Sequence, residues 1–320
     1  MNLVIDQANI NSFLTDNNAL GRDECSRLIK RGVNLIFNFE RSSVNPSTPE
    51  GQRFMMWLSG LTQGIKTKRP IWVRKVDTES IKSNFATNLL SDDKRDVYLL
   101  DNKDVVDKIK EKGAILIGSV GEEIAVLTSL ILDNTETPAI TIESWNTYIP
   151  HLPVTDIIIC DNHYFKDKFV YEANEHDLLK ALCNLPTQSP VHCIIISKKG
   201  EIDRDINLED EIVKLKKLIK DITQSTKSSI TIMLTYRTHD RNTITNYFRL
   251  KCGSCYHLKT NNLKPDVTAE IKTHANLTNE QISMHLIGEY QKIISDNNND
   301  IVGDKKSNFL KFPVDAERLH

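Results

Sequence analysis

The chain is 320 residues long, which leaves room for two ordinary domains, each with its own core. Apolar residues make up 39% and charged residues 26%, the balance of a water-exposed globular protein. A formal net charge of -2 excludes a polycation that attracts nucleic acid over its whole surface, so any nucleic-acid contact has to be a local basic patch.

The longest apolar runs, such as Ala114 to Ile117 and Ile157 to Cys160, are far too short to span a bilayer, so no membrane role is expected. The opening MNLVIDQANI carries Asp6 and lacks a basic start followed by an apolar stretch, so no signal peptide is expected. Six cysteines are scattered, with Cys160 and Cys193 inside apolar strand-like runs. That usage predicts reduced, buried thiols in a cytoplasmic protein rather than a disulfide framework. The abundance of Asn, Lys and Ile points to an AT-rich, bacterial coding sequence.

In chain order, LVIDQANINSFL predicts a short strand and then a helix. GRDECSRLIKRG predicts a helix with acids early and bases late, as the helix dipole favours. VNLIFNF predicts a strand, and GQRFMMWLSGLTQGI an apolar helix whose Phe54, Met55, Met56 and Trp57 suit a core or a partner interface. KGAILIGSVGEEIAVLTSLILDN reads as strand, glycine turn and helix, and AITIESW as a further strand. Strands alternating with helices predict an α/β domain over residues 1–149. Pro150 and Pro153 mark a boundary in TYIPHLPVTD, and a second α/β domain is expected over 150–320, with a mixed sheet flanked by helices.

In that second half TDIIICDNHYF predicts strand and turn, ANEHDLLKALCNL a helix and VHCIIISKK a strand. LEDEIVKLKKLIKDITQ predicts an amphipathic helix with Ile212, Leu215, Leu218, Ile219 and Ile222 on one face. SITIMLTY predicts a strand delivering Arg237 and His239 at its carboxyl end, where sites gather in open α/β sheets. TITNYFRLK alternates, putting Ile244, Asn246, Phe248 and Leu250 on one side of a strand. LTNEQISMHLIGEYQKII predicts a helix capped by Thr278, and DNNNDIVGDKKSN has the composition of a mobile end.

His239 and Arg241 lie two residues apart and face the same way, an arrangement suited to phosphate: the Arg fork grips oxygens while an imidazole attacks phosphorus or moves a proton. The spacing resembles the H-x-K-x4-D-x6-G-S-x-N motif of the phospholipase D superfamily over residues 150 to 290. His239 falls at the motif His, Arg241 at the Lys, Asn246 at the Asp, Gly253-Ser254 at the Gly-Ser pair and Tyr256 at the final Asn. The resemblance implies a phosphodiester site in which His239, Arg241 and Asn246 act in catalysis. It implies a phosphate held by Arg237, His239, Arg241, Ser254 and Tyr256, with Asp161, His163 and Tyr164 bordering the pocket. No cofactor and no metal are implied. Members of that superfamily need two motif copies, one His attacking and the other protonating the leaving oxygen. This chain has one copy, so hydrolysis implies a homodimer. Degenerate members that keep His-Asp-Arg bind phosphates without cutting them, and His239-Asp240-Arg241 is similar to these. The expected function is nucleic-acid binding, with nuclease activity as a homodimer in bacterial defence against foreign DNA. The alternative is a non-enzymatic assembly or sensor subunit, within a larger protein complex, that recognises a phosphate-bearing partner.

Other signals are thinner. Cys252 and Cys255 with His257 make half a metal site and lack a second pair. Leu3-Val4-Ile5-Asp6 followed by Asn9 resembles the first strand of PIN-type metal nucleases, whose terminal Asp holds Mg²⁺. Glu122 and Glu123, like Asp23 and Glu24, are further acids that more simply charge helix starts. GSVGEE lacks the Lys of a phosphate-binding P-loop. Lys66, Lys68, Arg69, Arg74 and Lys75 surround Trp72 as a basic run open to nucleic acid or to solvent.

Overall fold

A computed structural model describes residues 2–15, 26, 34–62, 71–72, 96–99, 115–117, 140–150, 152, 154–174, 176–184, 190–225, 227–237, 241–253, 256–258, 267–274, 277–296 and 300–312. The helices expected at 21–32 and after Gly118 lie outside the described residues, apart from the single helical residue Ser26. So do Glu122, Glu123 and all of the basic run except the strand residue Trp72.

The protein is α/β. Its first sheet has five parallel strands: β1 (Asn2–Ile5), β2 (Asn34–Phe37), β3 (Ile71–Trp72), β4 (Asp96–Leu99) and β5 (Ile115–Ile117), in the order β3-β2-β1-β4-β5. Helices α1 (Gln7–Thr15) and α2 (Pro49–Thr62) supply Ile10, Phe13 and Phe54 to the core. The rings of Phe37, Phe39 and Phe54 meet there at 5.2 to 6.2 Å. Of the apolar quartet on α2, Phe54 is buried whereas Met56 stays 76% exposed.

The second sheet is mixed and has eight strands in the order β13-β9-β8-β7-β10-β11-β12-β6. The strands are β6 (Ile140–Thr141), β7 (Asp156–Cys160), β8 (His192–Lys198), β9 (Ser229–Thr235), β10 (Asn242–Thr245), β11 (Phe248–Cys252), β12 (Thr268–Thr273) and β13 (Asp300–Gly303). Strands β7, β8 and β9 run parallel, and the rest pair antiparallel. Continuous apolar runs make sense in these central strands because both faces are covered. One face packs on α4 (Lys168–Ala173), α5 (Asp177–Leu182) and α6 (Leu208–Thr223) through Tyr171, Leu179, Leu182, Leu215 and Ile219. The other packs on α7 (Leu277–Ile294) and the chain after β13, through Ile287, Tyr290, Phe309 and Leu310. Helix α6 is capped by Asn207, whose Oδ1 accepts from Glu209 N at 3.0 Å, and it ends at Gln224 in the left-handed region.

Four readings need correction. TITNYFRLK is not one strand: it turns at Asn246 and Tyr247, so β10 and β11 form a hairpin. The Thr245 hydroxyl holds that turn by accepting from Tyr247 N and Phe248 N and donating to Phe248 O. The polar stretch after α7 joins the sheet from Asp300 on: β13 pairs with β9, and Asp304 accepts from Ile230 N at 2.9 Å. Gly303 makes this possible, with φ +98 and its Cα side so close to Ile230 O that a Cβ would sit 2.4 Å away. AITIESW holds only a two-residue strand before a short helix, α3 (Trp145–Tyr148); β6 pairs with β12, so the second sheet already draws on chain before the Pro150 boundary. Helix α7 begins at Leu277, so Thr278 lies in its first turn rather than at its cap.

Candidate phosphate site at the sheet edge

Register decides which residues meet. Asn242 pairs with Cys160 on β7 and with Lys251 on β11, so the open end of the hairpin lies at the carboxyl end of β7. Arg241 therefore stands beside Asp161 on one side and Cys252 on the other, where Cys252 N donates to Arg241 O at 3.1 Å. Gly253 N in turn donates to Thr268 O at 2.9 Å, and a Cβ there would meet the Thr268 hydroxyl at 2.7 Å, so a side chain at 253 would require the Thr268 side chain to move. Two neighbours of the motif's ends, Arg241 and Gly253, thus share one edge of the sheet. His239 and Ser254 lie outside the described residues.

Arg241 is held rather than loose. Its Nε lies 3.4 Å from Asp161 Oδ1, with the guanidinium side chain 22% exposed and the carboxylate fully buried. Asp161 also accepts from His163 N at 2.9 Å, which closes the turn after β7. His163 Nδ1 lies 2.7 Å from Glu201 Oε2, and Lys166 and Lys198 share that carboxylate. The Lys198 contact holds Glu201 below its ordinary pKa, so it stays an anion.

Three expected site residues sit elsewhere or inside. Asn246 occupies the closed end of the hairpin, away from Arg241, where its buried Oδ1 accepts from Thr155 N at 3.1 Å. Tyr256 is buried, with its hydroxyl 3.5 Å from Leu250 O and its own carbonyl accepting from Trp145 Nε1 at 2.9 Å. Tyr164 is buried in a ring cluster with Phe165, Tyr171 and His257, and its carbonyl lies 3.2 Å from His257 Nε2. Burial pulls His257 below the usual imidazole pKa, with Asp161 opposing the shift, and pushes the Tyr164 phenol far up. Tyr164, Tyr256 and His257 all lie close enough to Asp161 to feel its charge, whereas Asn246 does not belong to this group.

Sequence reasoning named Arg237 but missed Lys199 and the acids that face both cations. Arg237 is solvent-exposed and paired with Asp296 at 2.8 Å, and Lys199 pairs with Asp300 at 2.9 Å. Both acids come from the chain after α7, and β13 brings Asp300 there by lying against the end of β9. Nothing local in DNNNDIVG announces that pairing. Among the described residues no group of three or more His, Cys, Asp or Glu could hold a metal, and Cys252 is buried and outside any disulfide. Cys160, Cys183 and Cys193 are also buried and outside any disulfide. Among the described residues no helix is long and apolar enough to cross a membrane. In comparisons with known proteins, no protein-family model matches the chain and no curated protein matches its sequence.

Proposed function

We propose that the second half, together with β6 and α3, is a phospholipase-D-like module distinct from the first sheet, and that it binds nucleic-acid phosphates through Arg237 and Arg241, with His239 of the intervening segment acting beside them. The observation that carries this reading is the position of Arg241: a guanidinium on a buried carboxylate, where the carboxyl ends of parallel strands meet the open end of the hairpin. A phosphate there meets an oriented fork instead of a free side chain. Asn246 works as a turn residue, so the reading leans to binding, with hydrolysis depending on two copies of His239 in a homodimer. A role in bacterial defence, within the cytoplasm, follows from that reading. The experiment is nucleic-acid binding and nuclease assay of His239→Ala and Arg241→Ala. Weakened binding by both supports the site, and unchanged binding with unchanged activity removes it.

The sensor alternative differs in oligomeric state: a strict monomer that binds phosphate without cutting fits it and not the nuclease. A second reading concerns the first sheet. Its order reverses between β1 and β4, the crevice where open α/β sheets bind ligands, and Asp6 follows β1 at that point. Asn9 N and Nδ2 both donate to Asp6 Oδ1, at 3.0 and 2.9 Å, which orients a carboxylate suited to a divalent cation. Mn²⁺-dependent cleavage lost in Asp6→Asn but kept in His239→Ala would assign chemistry to this sheet.

A further inference from the structure

Tyr236 follows β9 directly and is 61% exposed, unlike the buried tyrosines 164, 171, 247 and 256. Its ring is propped in place. A Cβ on Gly200 would lie 3.9 Å from the ring's Cε1, so the ring rests beside the turn after β8. Lys199 N donates to Thr235 O at 2.9 Å, tying that turn to the strand, and Lys199 Nζ lies 5.9 Å from the ring centroid. An exposed aromatic side chain with one lysine ammonium near its ring is a stacking platform for a flat partner.

Along the same edge follow Arg237, Lys199, Lys198 and Arg241, in the order set by β9, β8, β7 and β10. Three strand spacings of about 4.8 Å put Tyr236 and Arg241 roughly 14 Å apart, a span for a few nucleotides. The surface pairs Lys199–Asp300 and Arg237–Asp296 do not block phosphate, because exposed ion pairs are weak and exchange readily. We propose that this edge takes a single-stranded nucleic acid, with one base stacked on Tyr236 and the backbone running toward Arg241. The inference rests on the phosphate reading of Arg241 and adds the class of substrate. A duplex offers no free base face along its length, so stacking selects an unpaired strand. The acids Asp161, Glu201, Asp296 and Asp300 offset much of the cationic charge. Roughly two or three phosphates are then neutralised, for a log–log salt slope of about -1.4 to -2.

The test is fluorescence anisotropy on the full chain at low salt. The probes are a labelled oligothymidine of about twelve nucleotides and a closed hairpin duplex, against Tyr236→Ala, Tyr236→Phe and Arg241→Ala. Expected are oligothymidine binding weakened roughly tenfold by Tyr236→Ala, near wild-type binding by Tyr236→Phe, and weaker duplex binding that Tyr236→Ala leaves unchanged. If Arg241→Ala weakens binding and Tyr236→Ala does not, the stacking path is overturned and the phosphate reading survives. If the duplex binds as tightly as the oligothymidine, the single-strand assignment is overturned. If neither variant matters, or wild type does not bind, both readings fall.

Discussion

Asp161 is fully buried and faces one guanidinium, so Arg241 has a structural role as well as a ligand-binding one. Arg241→Gln should cost roughly 1–3 kcal/mol, because it leaves a buried carboxylate short of a partner. Asp161→Asn in the same chain should recover part of that stability without recovering phosphate affinity. Urea midpoints of the single and double variants check this. Asp156, at the amino end of β7, is also fully buried, and accepts from Asn308 N and Nδ2 at 3.2 and 3.1 Å. Burial pushes its pKa up to about 8 from an ordinary 3.8, with the Asn308 bonds opposing. A raised folded pKa means the folded state holds the proton more tightly. Its stabilisation is complete below about 3.8 and is lost as pH rises through about 8. The half-buried imidazoles of His176 and His192 and the buried one of His257 work in the other direction. Their pKa values are lowered by burial, so their contribution is present above the ordinary 6.5 and is lost as pH falls. Comparing wild type with Asp156→Asn between pH 4 and 8 isolates the carboxyl: the variant's unfolding midpoint should decline less across that interval. An equal decline in both would remove this account of Asp156.

The β10–β11 hairpin shows where sequence reading worked and where it stopped. The alternation of strand and helix from β7 to β9 was legible because each buried strand is a continuous apolar run, and α6 keeps its apolar residues at helical spacing. The turn at Asn246 and Tyr247 was not legible. It lacks the Asn-Gly pair that usually marks such turns, and the aromatic Tyr247 and Phe248 continue the look of a strand. Its real signal was Thr245, whose hydroxyl substitutes for turn backbone contacts. The motif spacing says nothing of where the chain reverses, so it does not reveal that Asn246 lies past the end of β10 remote from Arg241. Asn246→Ala should therefore cost about 1–3 kcal/mol, by orphaning Thr155 N, and leave the nucleic-acid affinity of the folded protein unchanged. Thermal melts paired with binding curves separate the two effects. Strand β13 depends on Gly303 in the same local way. Gly303→Ala should destabilise by more than about 1 kcal/mol, since it combines positive φ with a clash against Ile230 O. Amide exchange should speed up at residues 300–304 and along β9 in that variant.

At the scale of the whole molecule, a net charge of -2 leaves no general attraction for nucleic acid, so affinity has to come from one edge of one sheet. The cations of that edge come from β8, β9 and β10, and its acids in part from the chain after α7. This dispersal is why composition alone left the edge invisible. The most direct test of the central claim is the affinity of the full chain for a single-stranded oligonucleotide, wild type against Arg241→Ala, at two salt concentrations. The account predicts at least roughly fivefold weaker binding for the variant and a salt slope reduced by about 0.7, the loss of one phosphate contact. Equal affinities with equal slopes would contradict it.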